Sequence, residues 1–165
     1  LNNDHKCYFI KPKSNDIYIT IHVKKISLIK LNGSSKVTSK IPLINNYEIG
    51  LIANAKYNEA DLNVNSKVFY YWNTHLNGGR IFVKGSVETL KLWNASLGSV
   101  DATNLNAENV LVDNDSKGNC KVNVSNKLEC KITGTGNVYY YGTPKTIIYN
   151  DSLSIGGQLI FGGEY

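Results

Sequence analysis

The residues with most chemistry to offer fall into three groups: acids between positions 101 and 115, a set of cysteines and histidines, and two tryptophans. Glycan cleavage by general acid and base needs two carboxylates about 5–10 Å apart across a groove. Asp113 and Asp115 are neighbours on a turn, with Asp101 and Glu108 close in sequence, but no second repeat supplies an acid in register with them. Asp101 falls between Arg80 and Lys121 and reads as one rung of an outward plus, minus, plus ladder that steadies stacking. No catalytic residue is expected. Cys7, Cys120 and Cys130 form an odd set without CxxC spacing, and His5, His22 and His75 occupy unrelated places, so neither a metal site nor a cofactor is expected. Cys120 and Cys130 both fall at inward positions, where two states stay open: small buried thiols, or a disulfide across a narrow core in an oxidising compartment.

Trp72 and Trp93 are the strongest binding candidates. They lie 21 residues apart, and each follows an inward anchor, Tyr71 or Leu92, so both should point outward on adjacent strands. Tyr70 shares that face, and Asn73 and Asn94 stand next to the indoles. Such a flat amphipathic platform suits a sugar ring or a surface protein. Burial under the N-terminal strands, or a contact with a second copy of the chain, would use the same residues.

The elements that must position these side chains are read from a repeat. Apolar pairs spaced i, i+2 return at Ile29/Leu31, Ile49/Leu51, Phe69/Tyr71, Leu90/Leu92, Val110/Val112 and Cys130/Ile132, with second members 20, 20, 21, 20 and 20 residues apart. A fixed period in the twenties means stacked supersecondary units, and period-two alternation makes the stacked unit a strand with one buried face. The expected fold is all-β: a single-stranded right-handed parallel β-helix of about six to seven coils of roughly 20 residues. Leu31, Leu51, Tyr71, Leu92, Val112 and Ile132 should form one inward column, and Leu43, Val64, Val83, Ala102 and Val122 a second. Gly33, Asn73, Asn94, Asn114 and Gly134 sit two residues after the anchors and read as corner residues in the left-handed region. An antiparallel sandwich explains the alternation but not the shared register.

One domain, 1–165, is expected, with leading or capping strands over 1–25, coils over 26–145 and a terminal coil or cap over 146–165. No apolar run reaches the length of a membrane span. The chain has no Met and no charged-then-apolar leader at Leu1, as expected of a chain cut upstream. The formal charge is +5, and residues 1–40 carry eight lysines against Asp4 and Asp16. These lysines read as solubilising charges flanking strands, and a single Arg argues against a nucleic-acid partner.

The stretch Gly134-Thr-Gly-Asn-Val-Tyr-Tyr-Tyr-Gly-Thr-Pro-Lys145 resembles the closing motif of the head GIN domain family of bacterial auto-transporter adhesins. Ser99-Val-Asp-Ala-Thr-Asn-Leu-Asn-Ala-Glu-Asn-Val-Leu-Val112 is similar to that family's coil, and Ile17-Tyr-Ile-Thr-Ile-His-Val-Lys-Lys-Ile-Ser-Leu28 resembles its leading strands. Leu31-Asn-Gly-Ser-Ser-Lys-Val37 looks like its first small-residue turn. The resemblance implies a parallel β-helix exported to the periplasm, the outer-membrane surface or the medium. It carries over no active site. The function so implied is a non-enzymatic adhesion or binding module whose partner is a glycan or a surface protein. A carbohydrate-active β-helix enzyme, or a module that assembles through its ends, is the alternative.

Overall fold

The structure, a computed structural model, describes residues 17–74 and 77–163. Its strands are β1 (Leu28–Leu31), β2 (Ser35–Thr38), β3 (Leu43–Ala53), β4 (Asn58–Asn73), β5 (Arg80–Ser96), β6 (Ser99–Ser116), β7 (Cys120–Ile132), β8 (Val138–Tyr141), β9 (Thr146–Asn150) and β10 (Leu159–Gly163). They pair in the order β1-β3-β4-β5-β6-β7-β8-β10, with β2 on β4 and β9 on β7, and every pairing is parallel. The result is a β-solenoid of about seven turns, with no helix among the described residues.

β4 and β5 each supply two sides of a coil because the alternation breaks once, and β6 breaks an additional time where Ala102 and Thr103 are both buried. In β5 the buried positions run Ile81, Val83, Val87, then Leu90 and Leu92, so Glu88 and Thr89 both face outward and the strand turns there. β6 repeats the break at Glu108 and Asn109, between buried Ala107 and Val110. The inward residues of all coils form one core, in which Leu51, Phe69, Tyr71, Leu90, Leu92, Val110 and Leu128 are almost wholly excluded from solvent.

The central column follows the expected register and its two ends do not. Leu51, Tyr71, Leu92 and Val112 are successive partners, but Ile29 pairs with Leu51 and Cys130 with Val112. Leu31 faces Ala53 instead, and Ile132 faces Asn114. A shift of two residues preserves the buried face, which is why alternation alone cannot detect it. At β6/β7 the cause is visible: Thr103, Asn104 and Leu105 have no counterpart between Val122 and Asn123, and one residue is regained where Ser125 and Asn126 stand opposite Glu108 alone, a net shift of two. The second column slips in the same way, since Val64 faces Gly85 and Val83 faces Leu62.

Two further expectations are corrected. Residues 17–25 form no strand, and Ile17, Tyr18, Ile19, Ile21 and Val23 are exposed, because their alternating face meets no sheet edge; residues 7–16 lie outside the described residues. The Asn residues after the anchors do not turn corners in the left-handed region. Asn73, Asn94 and Asn114 are inward strand residues, and Ser96 is the single described non-glycine residue with positive φ.

The tightest approach of coil to coil lies at a column of glycines. A methyl group on Gly118 would sit 2.1 Å from the Gly98 carbonyl oxygen, on Gly136 2.1 Å from that of Gly118, and on Gly157 2.5 Å from that of Gly136. Replacing Gly118 by Ala should therefore force two backbones apart and lower stability by about 1–3 kcal/mol in urea unfolding. Gly33→Ala, with nothing within 4 Å of the added methyl, should change it by less than about 0.5 kcal/mol. Leu92→Ala should cost about 2–5 kcal/mol through loss of core contact.

Candidate functional site

The outer side formed by the second halves of β3 to β7, together with β9, carries two parallel columns of side chains. One runs Ile52, Trp72, Trp93, Asp113, Lys131, Asn150, and the other Gly50, Tyr70, Lys91, Leu111, Glu129, Ile148. Trp72 and Trp93 are direct partners on β4 and β5, and are 53% and 43% exposed. They do not stack on each other; the ring pair among the described residues is Tyr140 with Phe161, at 5.3 Å between centroids. Tyr70 lies on the same side, but its ring covers Gly50 on β3, where a methyl group would lie 2.1 Å from Tyr70 Cζ. That packing fixes the Tyr70 ring and fills the gap left by the missing side chain.

Asn73 and Asn94 do not belong to this surface. Only 2% and 1% exposed, they point inward and tie down the turn that follows Trp93. The Asn73 amide donates to the Ala95 carbonyl at 2.9 Å and accepts from the Ala95 N–H at 2.6 Å. The Asn94 amide donates to the Gly98 carbonyl at 2.8 Å and to Asn114 Oδ1 at 3.0 Å. Extended backbone at these positions continues the alternation of β4 and β5, so the residue after each outward tryptophan must turn inward.

Beside Trp93 the outer columns leave a shallow groove of about 260 Å³. Trp93, Leu111 and Ile148 give it apolar surface, and Asp113, Lys131 and Asn150 give it polar groups. Asp113 and Lys131 form an ion pair at 3.6 Å, and Glu129 on the same side is paired with Lys127. Of this set, only Trp93 and Asp113 stood out in the sequence. The others become visible on stepping along the true register, whose shortened intervals at β7 and β9 displace Lys131 by two residues, and Ile148 and Asn150 by three, from a twenty-residue count.

The acids fall differently from their sequence expectation. Asp101 pairs with Lys121 at 3.6 Å, but its neighbour on β5 is Phe82, and Arg80 faces Ser99. The plus, minus, plus arrangement belongs to Lys36, Glu59 and Arg80: Lys36 meets Glu59 at 3.5 Å. The Tyr57 hydroxyl, donating to Glu59 at 2.7 Å, holds that carboxyl below its usual range, aided by both cations. Asp115 is exposed and accepts from Thr133 Oγ1 at 3.0 Å. Glu88 and Glu108 do share a register across β5 and β6, contrary to the expectation that no second coil matches the acids. They edge a second groove of about 320 Å³ lined by Ser66, Ser86, Asn106 and Asn123. Both stand exposed there.

Cys120 and Cys130 are buried free thiols rather than a disulfide. Burial pushes both up to about 12, with Asn94 donating to the Cys120 sulfur at 3.4 Å. Burial also raises Tyr71, whose hydroxyl has no hydrogen-bond partner. His22 is exposed; His5, His75 and Cys7 lie outside the described residues. Among the described residues no cluster of His, Cys, Asp or Glu is suited to a metal ion.

Comparison with known proteins adds two findings. Residues 5–144 match the family model described as putative auto-transporter adhesin, head GIN domain. The structure is similar to the crystal structure of a putative adhesin from Bacteroides fragilis NCTC 9343, with a TM-score of 0.67 and 18% identity over 82% of this chain. The chain spans 61% of that protein's length. No curated protein matches it significantly.

The buried thiols provide a pH test. A thiol held at about 12 in the fold but near 9 when unfolded keeps its proton more tightly in the folded state. Stability from this source is complete below pH 9 and is lost as pH rises toward 12. Cys120 and Cys130 should accordingly resist a thiol-reactive disulfide reagent at pH 8 in the native protein and react promptly in denaturant; fast native labelling of either would contradict their burial.

Proposed function

The chain belongs to the head GIN domain family, described as putative auto-transporter adhesins, and we propose that it is an exported, non-enzymatic binding module that makes contact through the outer side bearing Trp72 and Trp93. The observation that carries the reading is the pairing of two half-exposed indoles, in register on adjacent strands, next to a groove with both apolar and polar walls. A soluble domain gains nothing in stability by leaving two large aromatic side chains in water, whereas a binding surface gains contact area from them.

The scaffold suits recognition. β4, β5 and β6 are hydrogen-bonded along their length, and the inward neighbours Tyr71, Leu92, Asn73 and Asn94 are locked in the core. A partner docking on such a surface orders few side chains that were free beforehand, which keeps the entropic cost of association low. Of the strongly shifted groups, Cys120 and Tyr71 are buried in the core, and Cys130, which backs the groove beside Trp93, is only 4% exposed and holds its proton because burial pushes the thiol up to about 12. Export to the periplasm or cell surface agrees with the family description, and neither buried thiol depends on a reducing compartment.

The test is a screen of labelled protein against arrays of glycans and of surface proteins, with Trp72→Ala/Trp93→Ala as control. The double variant should lose at least tenfold in affinity for whatever the native chain binds, while its melting curve stays within about 1 kcal/mol of the native one, since outward side chains support the core little. Full binding by the double variant would remove the tryptophan surface from consideration; unfolding would make the pair packing instead.

A further inference from the structure

We infer that the groove beside Trp93 is a subsite for one ring of a neutral, hydroxyl-rich sugar. The inference rests on the outer side being a binding surface and adds the class of ligand.

Size is the first argument. At about 260 Å³ the groove falls below the roughly 300–1,000 Å³ of pockets that enclose drug-sized molecules, and it is open, so it accepts one ring of a longer chain and not a whole folded partner segment. Chemistry is the second. A pyranose presents C–H groups on one face and hydroxyls around its rim. Trp93, Leu111 and Ile148 supply apolar contact for such a face, and Asp113, Lys131 and Asn150 stand in one column along the rim. Asp113 accepts only and Lys131 donates only, and Asn150, whose Oδ1 already accepts from the Ser152 N–H at 3.1 Å and hydroxyl at 2.8 Å, offers its Nδ2 as a second donor. A run of acceptor and donors suits hydroxyls, each of which both donates and accepts.

Charge is the third argument, and it selects among sugars. Each carboxylate of the groove already has an ammonium partner: Lys131 for Asp113 at 3.6 Å, and Lys127 for Glu129. An acidic sugar would have to pull Lys131 from Asp113, and a cationic one would have to do the reverse. A neutral hydroxyl bridges the pair without breaking it. The groove opens beside Trp93 and not beside Trp72, so the two indoles should respond unequally.

The experiment follows the two indole Nε1–H signals by NMR in the full chain, assigned with Trp→Phe variants, during titration with three sets of probes: neutral oligohexoses of gluco, galacto and manno configuration, oligouronates, and amino-sugar oligomers. The expected result is that a neutral oligohexose shifts the Trp93 signal more than that of Trp72. Its affinity should change less than about twofold between low and high salt, because no net charge is exchanged. Asp113→Asn and Asn150→Ala should each weaken binding at least tenfold, with unchanged amide spectra elsewhere as proof of folding. Preferential binding of an oligouronate or amino-sugar oligomer, with steep salt dependence, would overturn the neutral assignment. No response to any sugar, while a protein from the array still binds in a tryptophan-dependent manner, would overturn the sugar subsite and leave the binding surface standing. Failure of both would remove both.

Discussion

The close approach of successive coils at the glycine column is the constraint on which the rest depends. Where Gly98, Gly118, Gly136 and Gly157 stack, no side chain fits between one coil's backbone and the next carbonyl. That approach takes backbone oxygens out of water, and buried acceptors must find donors inside the protein. Asparagine and serine side chains provide them. The Gly98 carbonyl accepts from Asn94 Nδ2 and from Ser116 Oγ, both at 2.8 Å, and the Gly136 carbonyl accepts from Asn114 Nδ2 at 2.9 Å. Asn58 and Asn77 continue the arrangement toward the first coils: Asn58 Nδ2 donates to the Gly33 carbonyl at 2.8 Å, and Asn77 Oδ1 accepts from the Gly79 N–H at 2.7 Å. The corner is thus a polar seam beside an apolar core. Its amides link one coil to the next, and such linked networks hold register more strictly than apolar packing, which tolerates sliding.

Much of this was legible in the residues, and the losses have physical causes. The β-solenoid class, the inward parity of the apolar pairs and the outward parity of Trp72 and Trp93 all follow from one period and one alternation. Register at the ends was not legible, because a two-residue slip at β1/β3 or β6/β7 leaves every side chain on its proper face. The same slip hid Lys131 and Asn150, which fall short of a strict twenty-residue count from Trp93. Asn73 and Asn94 were misplaced because asparagine serves two purposes: it enters left-handed turns cheaply, and it satisfies buried backbone groups. Composition cannot distinguish these, but alternation could have, since a residue following an outward indole in continuous strand must point inward. Gly79, Gly98, Gly118, Gly136 and Gly157 recur at 19, 20, 18 and 21 residues, and that recurrence was the unused sign of the seam.

Core and candidate site are therefore two readings of one register. Tyr71 and Leu92 meet inside because β4 and β5 pair as they do, and the same pairing sets Trp72 beside Trp93 outside. A slip of one residue between β4 and β5 would turn one of the two indoles inward, and a slip of two would set Tyr70 or Thr74 against Trp93 while leaving the core apolar. The Asn73 bonds to Ala95 across the two coils discriminate against the second case, since they require Asn73 to lie level with the turn after β5. Asn73 and Asn94, expected on the outer surface, are instead positioning residues: they hold the relative height of the two tryptophans. Loss of the Asn73 amide would leave the Ala95 N–H and carbonyl without these partners and loosen the alignment of the outer columns before it exposed any of the core.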